Sequence, residues 1–431
     1  MGIAQGYVAP GFEAVRDEFA RNLRFRGDGG AAFTAYQGGR TLVDLWGGPA
    51  DRATGRPWVH DTPVVVFSCT KGMTAVCLLI LLDRGVLELD APVARYWPEF
   101  GAGGKEAITI GDVMSHQARL PAFDVPVGVE ELRDDVALSA QLASQAPEPS
   151  PAAARVYHVF AYGYLCAGLV RRVDGRSLGR FFAEEVADPL GLEAWIGAPP
   201  ELEARLAVLS RRDDYGAMYE SFSLRETSDY VDVVRRAHAN PDIGPAPDEW
   251  FNLPELHAAE IPAVGGIATA PSLARMYACL AAGGELDGVR LLSPETIALA
   301  RAPRAEWHDE VFNTDVRFGL GFELHPPARA FGIPELPYGH QGLGGSVGAV
   351  WPTARIGYAY VTNRLSDQQP DRRATALLRA LDVCLGVGPP PRLARRLGDR
   401  ACRSWSAQAP RAALTGQLVR NQVFHRLSRI R

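Results

Sequence analysis

Strand-like segments in this 431-residue chain cluster at its two ends, so whatever sheet they build must bring those ends together. Near the start, Ala31 to Tyr36 and Thr41 to Trp46 read as two short strands, and Gln37-Gly38-Gly39-Arg40 reads as their hairpin link. Strand character returns only late, at Phe318 to Leu324, Ser346 to Trp351 and Ile356 to Thr362. The middle, from about 90 to 285, is rich in proline, alanine and loop signals and holds helical stretches such as Gly163 to Val173 and Ser272 to Ala282. An amphipathic helix opens the chain, with Phe12, Val15, Phe19 and Leu23 at helical spacing. Another, Asp371 to Leu385, stops before Gly386-Val387-Gly388. The pattern predicts an α+β fold: an antiparallel sheet built from both chain ends, flanked by helices, with a mostly helical region inserted. The expected division is 1–90 with 285–390 for the sheet region, 91–284 for the helical insertion, and 391–431 for an arginine-rich tail. No internal repeat is visible.

Hydrophobic residues make up 47% and charged residues 22%, which excludes a wholly disordered or collagen-like chain. The longest apolar run, Ala75 to Leu82, is far short of the ~20 residues a membrane span needs, so no transmembrane span is expected. The first twenty residues lack a basic segment followed by an apolar core, and no secretory signal is expected. Cys69, Cys77, Cys166, Cys279, Cys384 and Cys402 are scattered, without zinc-site or disulfide-framework spacing. They read as free thiols of a cytoplasmic protein. The net charge of -5 is unevenly spread: residues 392–431 carry ten arginines against the single acid Asp399. That tail reads as a solvated or partly helical extension of unknown partner, and no nucleic-acid partner is expected. No cluster has metal-ligand spacing and no GxxxxGK[ST] or GxGxxG run opens a helix, so neither metal nor nucleotide cofactor is expected.

The chemistry centres on Ser68-x-x-Lys71, where a β-branched run, Val64 to Phe67, passes into the apolar helix that Asp83-Arg84-Gly85 closes. On the first turn of a helix, positions i and i+3 share a face, so hydroxyl and amine become neighbours. A serine is a poor nucleophile until a base takes its proton. A lysine serves only if burial lowers its pKa, which the apolar helix offers. The helix N-terminus adds a field that favours a developing oxyanion. The chain has only two lysines, Lys71 and Lys105, against 43 arginines, and its 17 serines would pair this way by chance about 0.08 times. A second candidate is Tyr157, whose phenol would share the serine's proton and return it to a leaving group. A third is Tyr338-Gly339-His340-Gln341-Gly342-Leu343-Gly344-Gly345-Ser346, where glycine density lets backbone N–H groups approach a ligand. Within it, Gly344-Gly345-Ser346-Val347-Gly348 fits a GxSxG nucleophile elbow. That elbow needs a strand, a sharp turn and a helix, whereas Ser346 leads into strand-like residues. His116 and His158 read as hydrogen-bonded structural histidines.

In this order the three pieces resemble the serine β-lactamase-like hydrolases: class C β-lactamases, D,D-peptidases and, most closely, family VIII carboxylesterases. The resemblance covers residues 10 to 388. FSCTKGMTA is similar to the nucleophile motif, with Ser68 as the acylated serine and Lys71 as its paired lysine. VYHVFAYGYLCAGLV is similar to the tyrosine motif, with Tyr157 as the catalytic tyrosine and Gly163 six residues on. GHQGLGGS stands where β-lactamases have Lys-Thr-Gly, which implies that His340, Gln341 and Gly342 line the substrate site. It also implies an oxyanion hole made by the backbone N–H groups of Ser68 and Leu343. SHQARLP (Ser115 to Pro121) and GGIATAPSLARMY (Gly265 to Tyr277) match further landmarks.

The chain departs from that pattern at three positions. Val159 replaces an asparagine that would contact an acylamide side chain. His340 replaces a lysine that would anchor a carboxylate with permanent charge. Arg119 stands where the family commonly has glycine. The first two favour ester or acyl-transfer chemistry over efficient β-lactam hydrolysis. The resemblance therefore implies a cofactor-free serine hydrolase, carboxylesterase-like, acting through an acyl-serine on small ester substrates. The alternatives are an acyltransferase passing the acyl group to an amine or alcohol, a β-lactamase or D,D-peptidase-like amidase, and a non-catalytic binding module.

Overall fold

The computed structural model describes residues 3–27, 29–216, 227–244, 246–324, 330–332, 336–368 and 370–386; the arginine-rich tail, with Cys402, lies outside them. A nine-stranded antiparallel sheet forms the frame. Its strands are β1 (Gln5–Val8), β2 (Ala31–Gln37), β3 (Arg40–Gly47), β4 (Ala305–Asp309), β5 (Thr314–Phe318), β6 (Glu323–Leu324), β7 (Tyr338–Gln341), β8 (Val347–Trp351) and β9 (Ile356–Thr362). They lie in the order β1-β3-β2-β9-β8-β7-β6-β5-β4. The seam between the chain ends is β9 on β2, registered from Ile356↔Gln37 to Thr362↔Ala31. All seven residues of β9 are buried, as expected of a central strand covered on both faces.

One face carries the terminal helices α1 (Glu13–Phe25) and α5 (Arg372–Leu385). Val15 and Phe19 of α1 and Leu377, Leu378 and Leu381 of α5 enclose a core with Phe33, Val43, Leu45, Tyr358 and Tyr360. Burial of that apolar area on both helices drives this layer together. The opposite face is covered by α4 (Ala270–Ala281) and by the larger helical core around α2 (Thr70–Asp83) and α3 (Ala161–Val173). From Thr70 to Leu81 every residue of α2 is buried, so this helix runs through the interior with no solvated stripe.

Three sequence expectations shift in detail. Phe318 to Leu324 is not one strand. It breaks between β5 and β6, where the Gly321 N–H donates to the Met114 carbonyl (2.7 Å) and Gly319 N–H turns back on Phe322 (3.0 Å). Val64 to Phe67 gives only a two-residue strand, Val64–Val65, and it joins Ile267–Ala268 and Ala194–Trp195 in a separate small sheet. Ser68 lies in a 3-10 turn, Phe67–Cys69, just ahead of α2, and not on the first turn of the α-helix itself.

Candidate active site

The turn that carries Ser68 is fixed from three sides. Val66 N–H donates to the Gly266 carbonyl (2.9 Å), and Gly266 N–H donates to Thr70 Oγ1 (2.8 Å), which ties the GGIATAP segment to the nucleophile turn. Cys69 Sγ donates to the His340 carbonyl (3.3 Å). Gly342 packs so tightly that a Cβ there would lie 2.3 Å from the Val66 carbonyl oxygen, so only glycine lets the end of β7 rest on this turn. Phe67, immediately before the serine, holds φ at 46°, a left-handed conformation costing a β-carbon residue about 1–2 kcal/mol. Such strain persists where surrounding structure over-determines the backbone, and here it presents Ser68 half-buried between buried neighbours.

Lys71 is fully buried, and its ammonium atom has three partners. Nζ donates to the carbonyls of Val159 (2.8 Å) and Ala263 (3.1 Å) and lies 3.3 Å from Ser68 Oγ. Burial pushes its pKa well below the ordinary lysine value, against a smaller opposing pull from Glu323. In the neutral amine the two carbonyls take both hydrogens, which leaves the lone pair for the serine hydroxyl. Ala263 reaches this position because Gly163 of α3 has no side chain; a Cβ there would meet Ala263 N at 2.4 Å.

Tyr157 lies beside the same pair, its ring 4.7 Å from Lys71 Nζ, and the nearby Ser68 hydroxyl favours its ionised form slightly. Burial pushes the phenol well above its ordinary pKa, so it stays protonated. Its hydroxyl lies 3.4 Å from His340 Nε2. His340 Nδ1 is 2.7 Å from the Gln341 carbonyl and must carry a hydrogen to bond it, which assigns Nε2 as the acceptor. Burial, with the Lys71 charge second, pushes His340 down to about 3, so the ring is neutral at ordinary pH. Lys71 with Ser68, and Tyr157 with His340, thus form two adjoining pairs of proton-bearing groups, the Tyr157 ring 4.7 Å from Lys71 Nζ.

Around these groups, Tyr157, Val159, Gln341, Leu343 and Glu323 are half-buried whereas Lys71, His340 and Gly342 are buried. Among the described residues, no carbonyl takes up the backbone N–H of Ser68 or of Leu343. The loop bearing Leu343 is held from behind. Arg373 Nη2 donates to the Gly344 carbonyl (2.8 Å) and to Asp371 Oδ2 (2.7 Å), both side chains being buried.

The SHQARLP segment supports Tyr157 from below. The His116 and Tyr157 rings pack 4.7 Å apart, His158 N–H donates to His116 Nδ1 (3.2 Å), and Leu120 N–H donates to His158 Nε2 (3.2 Å). Arg119 has φ 56°, the conformation that suits a glycine. Its guanidinium instead clamps the carbonyls of Glu148 (2.6 Å) and Pro149 (3.0 Å), on the segment that leads to Tyr157, and those bonds offset the strained backbone. Ser346 is buried just ahead of strand β8, and its carbonyl accepts from Gly342 N–H (2.7 Å), so no helix follows it. No group of three His, Cys, Asp or Glu residues is placed to hold a metal ion among the described residues.

The sequence left three contributors unread. The Val159 and Ala263 carbonyls act whatever side chain those positions carry, so no residue type marks them. Glu323 donates no motif, yet Gln341 Nε2 bonds its Oε2 at 3.0 Å. Only the pairing of β6 with β7, Glu323↔Gly339, brings the two together.

The beta-lactamase family model matches residues 18–382. The Mycobacterium tuberculosis protein named Esterase/beta-lactamase LipL is 37% identical over 369 residues, spanning 84% of this chain and 83% of that protein. The crystal structure of a family VIII carboxylesterase superposes with a TM-score of 0.80 at 35% identity, over 88% of this chain and 99% of that one. A penicillin-binding protein homolog from Caulobacter crescentus gives 0.79 at 35% identity, over the same shares.

Proposed function

This chain belongs to the beta-lactamase family of serine hydrolases, and on that premise we propose that it hydrolyses small carboxylic esters through an acyl-serine. Ser68 Oγ attacks the ester carbonyl as neutral Lys71 takes the hydroxyl proton. The tetrahedral oxyanion accepts hydrogen bonds from the N–H groups of Ser68 and Leu343. Collapse breaks the bond to the alkoxy oxygen, and the proton passes through Lys71 and Tyr157 to the departing alcohol. Water then attacks the acyl-serine, giving its proton to the same pair, and the acid leaves as Ser68 recovers its hydrogen. Lys71 and Tyr157 titrate as a coupled pair in this scheme. His340, Gln341 and Gly342 line the acyl or alcohol subsite.

The observation that carries this reading is the buried Lys71 amine, with two carbonyls holding its hydrogens and its nitrogen 3.3 Å from Ser68 Oγ. Esters are favoured over β-lactams because neutral His340 supplies no fixed cation and Val159 supplies no amide. In this reading substrate binds between the sheet region, expected at 1–90 with 285–390, which supplies His340 and Gln341, and the helical region, expected at 91–284, which supplies Tyr157 and Val159. Buried thiols without disulfide partners at Cys69, Cys77, Cys166 and Cys279 support a cytoplasmic setting. No helix among the described residues is long and apolar enough to cross a membrane.

The test is turnover of p-nitrophenyl butyrate, with product analysis in the presence and absence of an alcohol. Butyric acid as the main product in both conditions is the expected result. A butyrate ester of the added alcohol as the main product would assign the chain to acyl transfer, and no turnover would overturn the reading.

A further inference from the structure

Lys71 becomes an ammonium when it takes the Ser68 proton, and it does so while fully buried. Among the described residues no carboxylate lies within ion-pair distance of its nitrogen. Its polar neighbours are the Val159 carbonyl (2.8 Å), the Ala263 carbonyl (3.1 Å) and Ser68 Oγ (3.3 Å). The remaining neighbour is aromatic: Nζ lies over the Tyr157 ring, 4.7 Å from its centroid. The Tyr157 hydroxyl is 3.4 Å from His340 Nε2 and makes no hydrogen bond to Nζ. What Tyr157 turns toward the amine is its ring.

We propose that the Tyr157 ring, apart from its hydroxyl, stabilises the ammonium that Lys71 becomes on taking the Ser68 proton. This rests on the acyl-serine reading above and gives a second catalytic role to a residue whose hydroxyl already has one. The face of a phenol ring carries negative charge from its quadrupole and attracts a cation within about 6 Å, most strongly where water is excluded. A neutral amine gains little from that face. The attraction therefore grows as the proton moves, which is the condition for lowering a barrier instead of only binding the ground state. The two carbonyls, in contrast, accept hydrogens from the amine and the ammonium alike.

The ring is held in place before the charge forms. His116 packs against it at 4.7 Å with planes tilted by 44°, and Phe318 stacks at 5.9 Å with planes 20° apart; both are buried. The backbone beside it is pinned where His158 N–H donates to His116 Nδ1 (3.2 Å). A fixed ring aimed at a developing charge costs no reorganisation during the reaction.

The experiment uses a fluorophosphonate. The bond from Ser68 Oγ to phosphorus forms, the phosphorus–fluorine bond breaks, fluoride leaves with the electron pair, and the serine proton goes to Lys71. Fluoride needs no proton from a tyrosine hydroxyl, so the rate of labelling reads serine deprotonation. Position 157 is filled with phenylalanine, then 4-fluoro-, 3,5-difluoro- and 3,4,5-trifluorophenylalanine, all without the hydroxyl and close in shape. Each fluorine withdraws charge from the ring face. Rates are read at a pH above which they no longer rise, where Lys71 is neutral in every variant. Labelling of the Ser68 peptide is expected to slow stepwise along the series, by about tenfold in all. In Lys71→Met the slow residual labelling is expected to stay constant along the same series. A flat series with Lys71 present, or an equal decline in Lys71→Met, overturns the proposal. A second measurement needs no substitution at position 157. The chain has only two lysines, so in the wild type grown with 13C-lysine the Lys71 signals are identified by their loss in Lys71→Met. Its ε-methylene protons are expected upfield of free lysine through the ring current; a shift equal to that of free lysine overturns the proposal even if the variants do not fold. A wild-type chain that is not labelled at Ser68 overturns the serine-hydrolase reading instead, so the two failures are distinct.

Discussion

Ser68→Ala is expected to lower kcat/KM on a short-chain p-nitrophenyl ester by about four orders of magnitude or more, with Ser346→Ala retaining most of the wild-type value. The asymmetry follows from what each hydroxyl touches. Ser68 Oγ has a base at 3.3 Å whose two hydrogens are held by carbonyls, and it is half-buried. Ser346 is buried at the start of a strand and offers its carbonyl to Gly342. Circular dichroism of both variants separates lost chemistry from lost folding. A Ser346→Ala enzyme that is as inactive as Ser68→Ala, yet folded, would return the GxSxG motif to the role of nucleophile.

The largest expected loss of stability is at Arg373→Met. Arg373 and Asp371 are buried, and the guanidinium also donates to the carbonyls of Gly344 (2.8 Å) and Arg364 (2.7 Å). Removing it leaves a buried carboxylate unpaired and strips one donor from each of two carbonyls, at about 3–5 kcal/mol in urea unfolding. The double variant Asp371→Ala with Arg373→Met is expected to lose less than the sum of its parts, since the uncompensated charge goes as well. Because Gly344 adjoins Leu343, residual activity in Arg373→Met should fall further than the folded fraction does. A loss below about 1 kcal/mol would mean that the pair does not hold the loop.

The sheet and its closure from both chain ends were legible because β2, β3, β8 and β9 carry continuous apolar or alternating runs. The edge strands were not. Gln5–Val8 and Ala305–Asp309 have polar or alternating residues of low strand propensity, and their pairing depends on a neighbour already in place. Ser68 and Lys71 were legible because a three-residue spacing has a direct geometric meaning near a helix. The 3-10 turn around the serine was not, since it depends on Phe67 being forced to φ 46° by packing from β7 and the Gly266 segment. Glu323 and the Asp371–Arg373 pair were invisible for a related reason. A lone glutamate in a strand, or an Asp two residues before an Arg at a helix start, has an ordinary local explanation; Asp371 does cap α5 through Arg373 N–H. Their roles come from strand pairing and from the loop that α5 packs against. Arg119 is the intermediate case: the departure from glycine was visible, but its carbonyl clamp needed the fold.

The most direct test of the claim that a buried amine activates Ser68 is the rate and position of labelling by a fluorophosphonate, read by intact mass and peptide mapping in the wild type and in Lys71→Met. The account predicts one adduct, on the peptide carrying Ser68, forming about 100- to 10,000-fold more slowly in the variant. An adduct on the Ser346 peptide, or a Ser68 adduct forming equally fast without Lys71, would contradict it.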